Sequence, residues 1–456
     1  MRVEQNRKFI NAGGKFRMRK ANSFLMVCST IVIALMFVSS LSLAAPAPNI
    51  AVQTEDAFTK IQGEAKVKQG LEFIQNDHAN TINDQKTIVA IPAPPFKEKV
   101  RADYYLKRLQ ELGLKNVKMD SEGNVYGVRP GTGKGPKIFV EAHLDTVFPE
   151  GTTTKPIEKD GKLYAPGIAD DSRGLAAVLS VVRAFNATGI KTVGDVIFCG
   201  TVGEEGLGDL RGMKAFFRDH TDIAASINVD GTSVSRITYL ATGSHRYEVS
   251  FKGPGGHSFG AFGLPSAIHA MGRAIAKIGD VETPKNPKTT YTVGIVSGGT
   301  SVNSIAADAQ MLLDMRSNSQ EELLKVEAKI LPLIQDAVNE ENARWNSDKK
   351  VSAEIKLVGD RPAGSQSPDA VIVQAAWMAT KAIGQEPALT AASSTNANLP
   401  INLGVPAVTI GGGGVDGRNH SPDEWYDPAN AYLGPQKIFL TILGLAGIDG
   451  ISQPLM

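Results

Sequence analysis

Apolar residues recur along this chain in two rhythms. Short β-branched runs such as Ile197-Phe198-Cys199, Ala225–Val229 and Val408-Thr409-Ile410 have the length of buried strands. Elsewhere the apolar positions fall two to four apart, as at Val100, Tyr104, Leu106, Leu109 and Leu112. That spacing predicts a helix over 97–112, closed by Gly113. Residues 61–90 read as largely helical through Leu71, Ile74 and Ile82, behind a Pro- and Thr-containing linker at 48–60. The run Ile91-Pro92-Ala93-Pro94-Pro95 cannot continue a helix, because its prolines lack the N–H donor. Strand and helix patterns then alternate to about residue 240, which predicts a layered α/β domain.

Near residue 243 the rhythm changes. Tyr247-Glu248-Val249-Ser250-Phe251 alternates like a half-exposed strand, and a helix follows over 265–278. Then come a strand at Tyr291–Val296, a strand at Gln310–Arg316 and a helix over 319–340. A β-α-β-β-α-β order predicts a small α+β, ferredoxin-like unit. The expected divisions are 48–242, 243–358 and 359–456, with the α/β pattern resuming in the last.

Composition adds bounds. The 456 residues can bury a large core, and 42% hydrophobic with 21% charged residues is ordinary for a globular chain. A net charge of +1, with no basic stripe, argues against a nucleic-acid partner. Met18-Arg19-Lys20 precedes an apolar run from Phe24 to about Leu43, and Ala44-Ala45-Pro46-Ala47 suits a signal peptidase. Residues 1–47 are therefore expected to be a signal peptide, with Met18 an alternative start and the product exported. The run, about 20 residues long, could instead remain as a membrane anchor. Cleavage would leave Cys199 as the single cysteine, read as a small core residue.

Charge gathers at the ends of the buried-type runs. Ile138-Phe139-Val140 leads into Glu141-Ala142-His143-Leu144-Asp145, and Ile197–Cys199 leads through glycines to Glu204-Glu205. Val229 is followed by Asp230, and Ile410 by a glycine run ending in Arg418-Asn419-His420. Asp170-Asp171 stands just before the apolar helix pattern Leu175–Leu179. In open α/β sheets ligands bind at strand tips. Adjacent carboxylates in a low-dielectric site need a cation or a shared proton. An acid-rich set with two imidazoles suits divalent metal, zinc above all. Five ligands shared by two metals need a bridging carboxylate, which fits a two-metal hydrolytic site better than a closed structural zinc.

As an ordered set over roughly residues 65–450, these motifs resemble the dizinc exopeptidases that include peptidase T, carboxypeptidase G and the aminoacylases. The glycine-rich end and Ser393–Leu399 look closest to the peptidase T branch. The resemblance implies a zinc-exopeptidase catalytic domain interrupted by a lid and dimerisation domain at 243–358. It implies His143 and Asp230 on one metal, Glu205 and His420 on the other, and Asp170 bridging. Glu204 would be the general base, and Asp145 would orient the His143 imidazole. His257, at a glycine-rich turn, would polarise the scissile carbonyl, in dimeric members that of the partner subunit. Asn303 and Arg316 would bind the substrate's backbone or carboxylate. Zinc, cobalt and manganese all suit the ligands. Two departures, Ser172-Arg173 where many members carry Lys-Gly or Lys-Ala, and Asn396 where Asp is frequent, bear on substrate choice more than on metal.

The expectation is thus an exported exopeptidase that trims short peptides in the manner of a tripeptide aminopeptidase, with a homodimer implied by the resemblance alone. Action on N-acyl amino acids, or as a carboxypeptidase, stays open on the same site. Two rivals differ in class. Gly256-His257-Ser258-Phe259-Gly260 fits a nucleophile elbow, with Ser258 and His420 in a serine hydrolase, although Pro265 postpones the helix that an elbow requires. A non-catalytic peptide-binding protein is the other.

Overall fold

The structure, a computed structural model, describes residues 47–456. The expected signal peptide, with Met18, lies outside the described residues except for Ala47. Among the described residues no helix is long and apolar enough to cross a membrane.

One segment departs from expectation at once. Residues 48–60 are not a linker: a helix runs from Val52 to Gly63. Its Phe58 and Ile61 are fully buried in the main core, and Ala51 N–H and the Thr54 hydroxyl both donate to the Gln374 side chain, at 2.8 and 3.0 Å. Tertiary packing overrides the linker-like composition. Two further helices follow, Ala65–Asn76 and His78–Val89. The proline run is irregular as expected, and helix Lys99–Glu111 ends before Gly113, whose φ of +76° an L side chain rarely adopts.

The core of the molecule is an eight-stranded sheet. Its order is Lys115–Met119, Val125–Arg129, Asp195–Thr201, Lys137–His143, Ile223–Val229, Ala407–Ile410, Arg236–Thr238, Ala388–Thr390. The four strands from Asp195–Thr201 to Ala407–Ile410 are parallel neighbours. Period two assigns their faces. Ile138, Val140 and Ala142 pack with helices Ser172–Thr188 and Leu433–Ala446. Phe139 faces the other way and stacks on Phe216 of helix Arg211–Asp219, ring centroids 4.0 Å apart. Burial on both faces is why these strands read as continuous apolar runs. Cys199, on the Phe139 face, is buried and unpaired.

The second unit follows the expected order. Strands Gly243–Lys252, Thr289–Gly298, Asp308–Ser317 and Ser352–Arg361 form an antiparallel sheet, backed by helices Ala267–Gly279 and Gln320–Arg344. It has its own core, including Val249, Phe251, Met311, Leu313, Ile330 and Ile334. The last strand runs to Arg361, which places that guanidinium where the chain re-enters the large sheet's layer.

Candidate functional site

Four parallel strands necessarily present their C-terminal ends on one edge, and register brings the tips level. His143 lies opposite Thr201, and Ile410 opposite Val229. His143 is therefore placed beside the loops carrying Glu204-Glu205 and Asp230. Gly203 makes the turn into the glutamates with φ +74°, and a Cβ there would meet Arg211 Cγ at 2.5 Å.

The expected ligands converge. His143 Nε2 lies 3.0 Å from Asp170 Oδ1, while Asp170 Oδ2 is 3.1 Å from His420 Nε2. His420 Nε2 is also 3.1 Å from Glu205 Oε1. Ligand atoms of His143, Asp170 and Asp230 lie within 4.8 Å of one another, and so do those of Asp170, Glu205 and His420. Asp170 belongs to both triads. His143 with Glu204 and Glu205 forms a third such group.

Electrostatics fits the same picture. Although burial opposes it, Asp145 and Asp170 raise the His143 imidazole well above its ordinary value. Hydrogen bonds to the carboxylates of Asp170 and Glu205 raise His420 to about 10. Burial raises the Glu204 carboxyl well above the usual range despite Arg361, and burial with Asp170 nearby also raises Asp230. Two imidazoles shifted upward among crowded acids mark a donor set with surplus negative charge, and two divalent ions fit it.

Asp145 meets the His143 ring chiefly through its main chain. Its main-chain carbonyl lies 3.0 Å from His143 Nδ1, whereas its carboxylate stands off at 3.7 Å. The carboxylate accepts the N–H groups of Glu204 and Glu205, at 3.1 and 2.7 Å. Those buried donors need an acceptor, so the side chain fixes the turn carrying both glutamates.

A cavity of about 540 Å³ opens over the cluster, lined by the ligands, Glu204 and four arginines, Arg236, Arg246, Arg316 and Arg361. Arg316 was expected. Arg361 was not: it donates to Glu204 Oε1 at 3.2 Å and also to the Glu204 carbonyl. Its position at the end of an alternating strand, just before Pro362, was the available signal. Arg246 and Arg316 both donate to Asp314, at 2.9 and 2.7 Å.

His257 and Asn303 are not brought to this cavity. They line another, of about 370 Å³, where Gly256-His257 pairs with Ser304-Ile305. His257 Nδ1 accepts the N–H groups of Phe259 and Gly260 at 3.2 Å, which puts the proton of the neutral ring on Nε2.

Two departures noted in the sequence are resolved by burial. Arg173 points away from the ligands and donates to the carbonyls of Gly412 and Ala431, both at 2.7 Å. Asn396 is buried beneath the cluster, donating to Glu141 at 2.9 Å and to Thr201 at 3.0 Å, so it does not set the charge of the cavity. The serine arrangement is not assembled. Ser258 N–H bonds Asn303, the next helix starts only at Ala267, and His420 is committed to Asp170 and Glu205.

Comparison with known proteins agrees with this geometry. The sequence pattern of peptidase family M20/M25/M40 matches residues 139–443. Succinyl-diaminopimelate desuccinylase of Nitrosospira multiformis is 24% identical over 54% of this chain and 70% of its own length. Carboxypeptidase G2 of a Pseudomonas species is 25% identical over 46% of this chain and 52% of its own. Among solved structures, a tripeptidase from Staphylococcus aureus superposes with a TM-score of 0.67, 22% identity, and coverage of 80% of this chain and 97% of that one. Aminopeptidase PepT from Bacillus cereus gives 0.63, 23%, 80% and 98%. A dinuclear metal-binding peptidase of family M20 from Bacillus subtilis gives 0.59, 17%, 82% and 99%.

Proposed function

The chain belongs to peptidase family M20/M25/M40 and is a hydrolase of the peptidase and amidohydrolase type, and on that premise we propose that it is an exported exopeptidase that trims short peptides. The observation that carries the proposal is Asp170, shared between two ligand triads, with Glu204 beside them. His143 and Asp230 would hold one divalent ion, Glu205 and His420 the other, and zinc suits this mixture of carboxylate and imidazole. Two such ions supply Lewis-acid activation of a water and of the scissile carbonyl.

The chain's own residues do the rest. Glu204 takes a proton from the attacking water and returns it to the leaving amine, and its raised affinity for protons suits both halves of that task. Arg361 holds Glu204 by side chain and backbone. Arg316 offers a planar fork to a free carboxylate. His257 donates from Nε2 to the carbonyl oxygen as negative charge develops. His257 and Asn303 line a separate cavity, and in a homodimer they would serve the partner's site.

The arginines of the cavity favour a second reading on the same chemistry, with N-acyl amino acids or C-terminal residues as substrates. Mass spectrometry of pooled di-, tri- and N-acylated peptides, with and without chelator, decides between them. Chelator-sensitive loss of N-terminal residues is expected. Deacylation or C-terminal trimming selects the second reading, and turnover indifferent to chelator refutes both. Glu204→Gln should retain metal and lose roughly 10²–10⁴ in kcat.

A further inference from the structure

Glu424 lies four residues beyond His420. It is fully buried, with no exposed surface. Both of its oxygens are taken by main-chain donors from the segment leading to Asp170. Oε2 accepts the Gly167 N–H at 2.9 Å, and Oε1 accepts those of Ala169 at 2.9 Å and Asp170 at 3.2 Å. Ile168 N–H, between them, bonds the Ala165 carbonyl, so every N–H from 167 to 170 is satisfied by Glu424 or by the turn itself. The Glu424 carbonyl accepts from Ala165 at 3.2 Å, and its neighbour Trp425 pairs with Tyr164. Glu424 thus clamps the segment that presents Asp170 to the segment that presents His420, whose side chains meet at 3.1 Å.

We propose that Glu424 is the positioning residue of the metal centre: its carboxylate fixes the main chain at Asp170 so that both oxygens of that side chain face their separate triads. The inference rests on the two-metal reading above. A carboxylate is required because it is acceptor-only. A glutamine would keep one acceptor and turn an NH₂ toward a buried N–H, setting donor against donor. Since Asp170 belongs to both triads, a shift of its backbone loosens both ions together, unlike loss of a ligand that serves one.

The test is titration of the metal-stripped full chain with Zn²⁺ against a chromophoric chelator, reading stoichiometry and affinity. Wild type, Glu424→Gln, Glu424→Asp and Ile330→Ala are compared. Ile330 belongs to the other core, so its variant controls for general loss of stability. Two ions should bind the wild type. Glu424→Gln should weaken both by about 10–100-fold, the range for residues that orient ligands, while Ile330→Ala leaves affinity unchanged. If Glu424→Gln does not fold, Glu424→Asp, which keeps the charge but shortens the reach, should show the same paired loss. Wild-type affinity in the folded Glu424 variants, or a loss confined to one ion, overturns the positioning role while leaving the two-metal reading intact. Failure of the wild type to bind two ions overturns both.

Discussion

Beneath His143 sits a carboxylate that no motif singled out. Glu141 is buried among Thr201, Asn228 and Asn396, and burial pushes its carboxyl up to about 7. Asn396 donates where an aspartate would repel. Asn396→Asp should therefore destabilise the protein by about 3–5 kcal/mol at neutral pH, the cost of an uncompensated buried charge. The sign with pH follows from the raised value. Protons bind the folded state more tightly, so stability is fullest below the unfolded value of 4.5 and falls as pH rises through about 7. Urea unfolding should show a larger deficit for the variant at pH 8 than at pH 5, and equal deficits would refute the pairing. His143, Asp170, Glu204, Glu205, Asp230 and His420 were candidates because each stands beside a recognisable apolar run, Asp170 before one and the others after. Glu141, Arg361 and Glu424 escaped because their partners lie 60 to 257 residues away in the chain, beyond the reach of local spacing.

Elements were legible where period and length agreed. The parallel strands and the β-α-β-β-α-β unit carry patterns that their own burial dictates. Helix Val52–Gly63 did not, since Phe58 and Ile61 find their partners on distant helices. A tie between elements offers a test within the second unit. His245, on strand Gly243–Lys252, bonds Glu327 of helix Gln320–Arg344 and lies 3.4 Å from Asp360 of the neighbouring strand. Asp360, then Glu327, raise its pKa above 6.5 against the pull of burial. Stability from this pairing is thus fully present below pH 6.5 and lost as pH rises through the folded value. His245→Gln should cost roughly 1 kcal/mol at pH 6, with solvent screening of the exposed Asp360 side, and less at pH 9. Chemical denaturation at the two pH values measures it, and an unchanged deficit refutes the assignment.

At the scale of the whole molecule, the separation of His257 from the ligand cluster makes subunit exchange informative. Under the proposed homodimer, Glu204→Gln and His257→Ala are each defective alone. Mixed one to one with exchange, they should recover about a quarter of wild-type turnover, because half the dimers are mixed and each mixed dimer holds one intact site. No recovery would show that His257 does not act across subunits. The parallel pairing of Ala407–Ile410 with Ser226–Val229 has a different consequence, one of timing. His143, Asp170, Glu205 and Asp230 emerge early in synthesis, but His420 comes after the whole second unit, and contacts of such sequence separation close slowly. Under the proposed ligand set, the centre would therefore be completed only in the last stage of folding, and a half-made chain would still lack one of its two imidazoles, leaving it nothing to cut with, itself included.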